Sequence, residues 1–399
     1  MISNMTEEKK KTPYEILEES PMLYLSSGSK ELFHSNFLYW LGIRYRDTFQ
    51  KMMSNFCDIK EEWPDGWRVR REHNHLDLCI TYDRPKTSRK KNSGTDEYVF
   101  VIVENKVKSV PDITQLKRYE DLYDENRKKG CTYVLLSLMK DFHGKDILED
   151  EKKWQICNYE DLAGEIRNKF VEEFPVSNEH IQYVKDYCVY IENLSKLAEE
   201  WIIEDSKPFL TPVDEFGELR LNDIYQKIRY AQIAAKLARR LADKHISESE
   251  KTVLGMSNFD VIMKNRKDSE KILDLYGCHN AIPFNNIFLS SGMAHSIGLV
   301  EAKVKLADNC CAVIQVQGDR YCRGIEQKGI VNKSHQLKPY MRDFIDFKDS
   351  DPGKVYSKEC HYSDGFLYKA QKVSDGDNIN DVLSRMMKDI VLIMRWKSF

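Results

Sequence analysis

The sequence lacks most of the features that would assign it quickly to a class. Nowhere do its 399 residues form an apolar run approaching the ~20 that a membrane-crossing helix needs. The opening MISNMTEEKKK is charged and has no apolar h-region. It is expected to be a short disordered tail rather than a secretory signal. An excess of one charge is also missing. Lys and Arg number 61 against 64 Asp and Glu, a formal net charge of -3. No global positive field marks a nucleic-acid binder, so any such surface must be a local patch. The ten cysteines contain no C-x-x-C pair, and several sit inside apolar runs, where a free thiol behaves as a small hydrophobe. That usage points to a reducing cytoplasm rather than a disulfide framework. Cys278-His279 and Cys360-His361 are adjacent pairs. Neighbours rarely point at one metal, and neither pair has the spacing of a tetrahedral zinc site. Repeats and low-complexity segments are absent as well.

What is present is a globular composition. Hydrophobic residues make up 41% and charged residues 31%, enough to bury a core and stay in solution, and the length suggests two or three domains. Segment 30–43 spaces Phe33, Phe37, Trp40 and Leu41 as a helix does, with Ser29 as N-cap. Segments 67–72 and 75–82 alternate as strands. The second puts Leu76, Leu78, Ile80 and Tyr82 on one face, and His75, Asp77, Cys79 and Thr81 on the other. After a polar, basic loop at 84–94, residues 98–106 are apolar on both faces, as in a central strand. A helix at 113–128 opens with the D-x-x-Q capping box of Asp112 and Gln115 and ends at Gly130. Strands follow at 131–138 and 154–158, then helices at 160–173 and 178–203. The first three strands are close enough to pair antiparallel. The helix at 113–128 is a crossover that should return 131–138 parallel to its predecessor.

Residues 204–217 read as a linker between a domain at 1–203 and a second at 218–399. The second begins with a basic, Ala-rich helix at 221–245, carrying Lys227, Arg229, Lys236, Arg239, Arg240 and Lys244. It continues with strands at 294–306, 311–317, 320–326 and 364–373 and an Asp308-Asn309 turn. The fold class expected is α/β around a mixed sheet, followed by an α+β domain with an antiparallel sheet.

The chemistry gathers at the end of the central strand, VFVIVENK. Residues i and i+2 of a strand share a face, so Glu104 and Lys106 project together, and Asn105 offers that face only its backbone carbonyl. Asp77 lies on the polar face of the neighbouring strand. Two carboxylates a few ångströms apart repel unless they share a proton or a cation. Oxygen ligands without a His or Cys cluster favour a hard ion, Mg²⁺ or Mn²⁺. With a lysine beside them, they suit metal-assisted phosphodiester hydrolysis.

The pattern Asp77…Glu104-Asn105-Lys106, in this helix–strand order, resembles the PD-(D/E)XK nuclease superfamily over roughly residues 25–175. The resemblance implies a restriction-endonuclease-like fold. It makes Asp77, Glu104 and the Asn105 backbone carbonyl metal ligands and Lys106 the catalytic lysine. Gln115 and Tyr119 match the Q-x-x-x-Y element of RecB-type exonuclease branches. The stretch ELFHSNFL at 31–38 is similar to the first helix of a mostly uncharacterised bacterial branch, which makes Glu31 a third acidic ligand. Leu76 stands where a proline often precedes the aspartate, and Asn105 is polar where an apolar residue is common. Plainer readings stand beside these. A capping box explains Gln115, packing explains Tyr119, and the helix macrodipole favours an acid at Glu31. His34, Asn36 and His75 are weaker candidates. Arg68, Arg70 and Arg71, the basic loop and the basic helix could track phosphates or simply be solvated. Glu301-Ala302-Lys303 repeats the E-x-K spacing without a partner aspartate strand.

The expectation is a Mg²⁺-dependent cytoplasmic nuclease acting on nucleic acid, DNA favoured over RNA, with no membrane partner. A homodimer is possible, and a role in genome defence follows by analogy alone. The alternative is a catalytically idle nuclease-like scaffold that binds nucleic acid or a protein. The intact Asp77, Glu104 and Lys106 argue against it.

Overall fold

The computed structural model describes residues 11–26, 30–85, 95–109, 111, 113–124, 131–142, 145–172, 179–210, 216, 219, 221–242, 282–284, 287–294, 297–307, 309–331, 335, 337–348, 358–362 and 364–396. The caps at Ser29, Asp112 and Gly130 lie outside these residues. So do the tail 1–10, most of the basic loop at 84–94, Lys244, Cys278-His279 and Asp308. The chain separates into two compact units. One comprises Met1–Lys108, Lys117–Lys140 and Leu148–Trp201, the other Ser109–Leu116, Asp141–Ile147 and Ile202–Phe399.

The first unit is built on a five-stranded mixed sheet in the order β1-β2-β3-β4-β5. The strands are β1 (Arg68–His73), β2 (Leu76–Pro85), β3 (Thr95–Lys106), β4 (Thr132–Ser137) and β5 (Trp154–Cys157). β1, β2 and β3 pair antiparallel, and β4 returns parallel to β3, as the strand spacing and the crossover helix require. β5 continues the parallel half. A two-residue turn joins β1 to β2, with His73 opposite Leu76. Its residues Asn74 and His75 have φ of 52° and 67°, the left-handed values that match a tight hairpin to the twist of its strands.

The helices are α1 (Pro13–Glu19), α2 (Pro21–Ser26), α3 (Lys30–Arg44), α4 (Arg46–Phe56), α5 (Ile113–Asp124), α6 (Lys145–Glu151), α7 (Tyr159–Ile166) and α8 (Ile181–Glu200). A six-residue π turn, Arg167–Glu172, extends α7. α3 packs on β1, β2 and β3. β3 is buried on both faces from Val99 to Asn105, which explains its apolar reading.

The second unit holds a seven-stranded antiparallel sheet in the order β11-β12-β10-β9-β8-β7-β6. Its strands are β6 (Ile282–Phe284), β7 (Ile287–Ala294), β8 (Ile297–Ala307), β9 (Cys310–Gln317), β10 (Arg320–Gln327), β11 (Cys360–Tyr362) and β12 (Phe366–Lys372). The strand expected over 294–306 is β8, which begins at Ile297, while Ala294 ends β7, which pairs back on it. Helices α9 (Asn222–Ala242), α10 (Pro339–Ile345) and α11 (Ile379–Arg395) complete it. Leu237, Leu289, Val300, Ile314, Leu383 and Ile390 belong to its apolar core. Within that unit the described part of the segment read as a linker is bonded in place: Phe209 N–H donates to Asp377 O at 2.9 Å, and Ile379 N–H to Lys207 O at 3.0 Å.

Candidate active site

The site lies where β2 and β3 run side by side. Leu78 pairs with Val103, so Asp77 and Glu104 stand one step further along neighbouring strands. The Asn105 N–H donates to Asp77 Oδ2 at 2.8 Å. Lys106 Nζ lies 2.8 Å from Glu104 Oε1. Glu104 is only 1% exposed, and its Oε2 has no hydrogen-bond partner. A buried carboxylate oxygen with nothing to accept from is costly, and it is the kind of atom a cation satisfies.

Glu31 enters from the first turn of α3. Its Oε1 accepts from the Lys108 N–H at 3.3 Å, and its backbone carbonyl accepts from Asn105 Nδ2 at 2.9 Å. Among the described residues, no three acidic, histidine or cysteine side chains stand in an arrangement that holds a metal as they are. Each acid has one oxygen turned to a protein donor: Asp77 to Asn105, Glu104 to Lys106, Glu31 to Lys108.

The electrostatics follow from burial. Removal from water pushes the Asp77 carboxyl up to about 6; Glu31 and Glu72 add to the rise, while the Asn105 N–H and Lys106 oppose it. Burial likewise lifts Glu104 to about 7 against the pull of Lys106, with Asp77 and Glu31 adding to it. Burial alone would lower the Lys106 ammonium, but Glu104, Asp77 and Glu31 outweigh it and hold the lysine above its ordinary value. Burial thus holds Asp77 and Glu104 toward their protonated forms beside a lysine that keeps its proton. The oxygens of Asp77, Glu104 and Glu31 are donors of the type a hard divalent cation takes.

The other candidates divide. Tyr119 is buried on α5 and its hydroxyl donates to the His75 carbonyl at 2.7 Å, bracing the turn that delivers Asp77. His75 contributes that carbonyl, and its side chain is exposed. Gln115 is half-buried on α5 within Ser109–Leu116, which clusters with the second unit. His34 is a core residue: fully buried, 3.0 Å from the Tyr187 hydroxyl through Nδ1, and pushed by burial down to about 3. Asn36 accepts from Arg71.

The strand arginines are engaged within the fold. Arg68 lies 2.7 Å from Asp83, and Arg70 lies 3.2 Å from Glu97. The basic helix is engaged too. Arg239 pairs with Asp141, Arg240 with Asp205 at 2.7 Å, and Arg229 donates to the Pro208 and Phe209 carbonyls. Lys303 of the second E-x-K lies 2.7 Å from Glu326 across the antiparallel sheet. The nine cysteines among the described residues are free.

Residues 22–189 match the family model of the PD-(D/E)XK nuclease superfamily. No curated protein and no solved structure matches the chain. The PD-(D/E)XK match spans the whole constellation, from Glu31 through Asp77, Glu104 and Lys106 to Tyr119. Three contributors to the site had no signal in the spacing. Glu72 lies beside Asp77 and has a left-handed φ of 49°, and Ser35 and Tyr159 bond the Asn105 amide from behind. No helix among the described residues is long and apolar enough to cross a membrane.

Proposed function

We propose that the first unit is a Mg²⁺- or Mn²⁺-dependent nuclease that hydrolyses phosphodiester bonds of nucleic acid, with DNA the favoured substrate. The observation that supports it is the juxtaposition at one strand end of Asp77, Glu104 with its unpartnered buried oxygen, and Lys106 2.8 Å from Glu104. Asp77 and Glu104 would hold the cation, with Glu31 and the Asn105 backbone carbonyl as further oxygen donors. Bound there, a divalent ion polarises the phosphate and makes a water more acidic. Lys106 keeps its proton, and so presents positive charge where negative charge grows as water attacks phosphorus and the P–O bond to the leaving sugar breaks. Tyr119 acts from behind by fixing the turn before Asp77. Gln115 is assigned to orienting water or phosphate on its place in the Q-x-x-x-Y pattern.

The test is incubation of the full chain with supercoiled plasmid, linear duplex, single-stranded DNA and RNA, with and without Mg²⁺. Metal-dependent cleavage with DNA cut faster than RNA is the expected result. RNA cut faster would reverse the substrate preference, and no cutting of any substrate would leave the idle scaffold as the better description.

A further inference from the structure

We propose that the side chain of Asn105 is a positioning residue that sets where Glu31 stands relative to Asp77 and Glu104. The inference rests on the reading of this site as a divalent-cation centre.

Asn105 sits between two functional residues but points the other way. Its neighbours on that reverse face of β3, Val101 and Val103, are apolar and buried, and Asn105 itself is 2% exposed. A valine would fill such a position at no polar cost, whereas a buried amide is tolerable only if its hydrogen bonds are made. They are all made here. The Tyr159 hydroxyl donates to Oδ1. Nδ2 donates to the Glu31 carbonyl at 2.9 Å and to Ser35 Oγ at 3.2 Å. One acceptor and two donors are thus all used, with partners on α3 and α7.

The same residue holds Asp77. Its backbone N–H donates to Asp77 Oδ2 at 2.8 Å. One residue therefore fixes two acids brought by two other elements, Asp77 through the main chain and the backbone beneath Glu31 through the amide. An apolar side chain would pack α3 on the sheet without specifying its register, because dispersion contacts have little direction. The amide gives the contact a direction, and Glu31 follows the helix start that it pins. The Lys108 N–H, on the chain leaving β3, then meets the Glu31 carboxylate itself.

The test is Mn²⁺ titration by calorimetry on the full chain, combined with thermal melts, in a double-mutant cycle. Asn105→Ala is expected to weaken Mn²⁺ binding about 10-fold or more, the usual effect of losing a group that orients a ligand. In a Glu31→Gln background the same substitution should cost less than about 3-fold, because the group it positions is already disabled. Tyr159→Phe and Ser35→Ala each remove one bond of the clamp and keep the packing. They should weaken Mn²⁺ binding in the same direction with little change in Tm, and they carry the test if Asn105→Ala fails to fold. Equal losses in both backgrounds would overturn the proposal, as would unchanged Mn²⁺ affinity in all three variants. A native protein that binds no Mn²⁺ would overturn the cation-centre reading and this inference together. Native binding that is indifferent to the clamp would overturn the inference alone.

Discussion

At the scale of single residues, groups only a few ångströms apart are expected to do different work. Asp77→Ala and Glu104→Ala should each reduce cleavage by roughly 10²-fold or more and weaken Mg²⁺ binding. Lys106→Ala should reduce cleavage comparably and leave Mg²⁺ affinity unweakened, because the lysine repels the ion. Calorimetry beside cleavage rates separates the two classes. The raised carboxyls also predict a pH dependence. Asp77 titrates at about 6 and Glu104 at about 7 in the fold, above their ordinary values, so the fold favours their protonated forms. In EDTA their contribution to stability is therefore full below pH about 4 and is lost as pH rises through about 6 to 7. Added Mg²⁺ binds the ionised forms, so its stabilising effect on Tm should be larger at pH 8 than at pH 5. Glu104→Gln should flatten the metal-free dependence. Tyr119→Phe removes one hydrogen bond, worth about 1 kcal/mol. If the hydroxyl positions Asp77, cleavage should fall by more than that loss of stability predicts. Gln115→Glu, which keeps a capping side chain, should harm the rate far more than Tm if the amide is catalytic.

At the scale of elements, the sequence was most legible where period and face are set locally. The alternation of β2, the apolar run of β3 and the crossover α5 carry the mixed order of the first sheet, and the E-x-K spacing picks out Glu104 and Lys106 of the proposed site. Other elements carry a local signal of their own. Phe49, Met52, Met53 and Phe56 are spaced as one helical face and form the buried side of α4. α11 likewise carries a capping box at Asn378 and Asp381 and a long apolar stripe. Within that stripe sits Asp389, which looks like a surface residue in the sequence. It is fully buried because Arg323 of β10 meets it with two hydrogen bonds of 2.7 and 2.6 Å, and Tyr321 adds a third at 2.8 Å. No local pattern announces such pairing across more than sixty positions. The same limit hid the Asn105 amide, whose partners lie on two helices far away in sequence, and the acids that engage Arg68, Arg70 and Arg240. Asp389→Ala should cost the second unit about 3–5 kcal/mol by removing the carboxylate that meets the buried Arg323, read as a lowered denaturation midpoint. Gly298→Ala should also destabilise it, since a Cβ there would overlap the Tyr230 ring of α9.

At the scale of the whole molecule, Glu31, Asp77, Glu104 and Lys106 fall within the first unit, so the proposed cation site draws no acid from the second. The sequence leaves open whether its basic helix tracks phosphates or is only solvated; within the unit Arg239 pairs with Asp141 and Arg240 with Asp205. Charge reversal at both positions should lower Tm and leave the salt dependence of nucleic-acid binding unchanged; a flattened slope would restore the helix as a phosphate-binding surface. Asp77, Glu104 and Lys106 are proposed to form a working metal-dependent nuclease centre. The most direct measurement is the initial rate of DNA cleavage by the native chain and by Glu104→Ala across a Mg²⁺ titration. The native rate should rise with Mg²⁺ and vanish in EDTA, and the variant should stay near background at every concentration although its fold survives. A Glu104→Ala protein that cuts at the native rate, or a native rate indifferent to EDTA, would contradict the proposal.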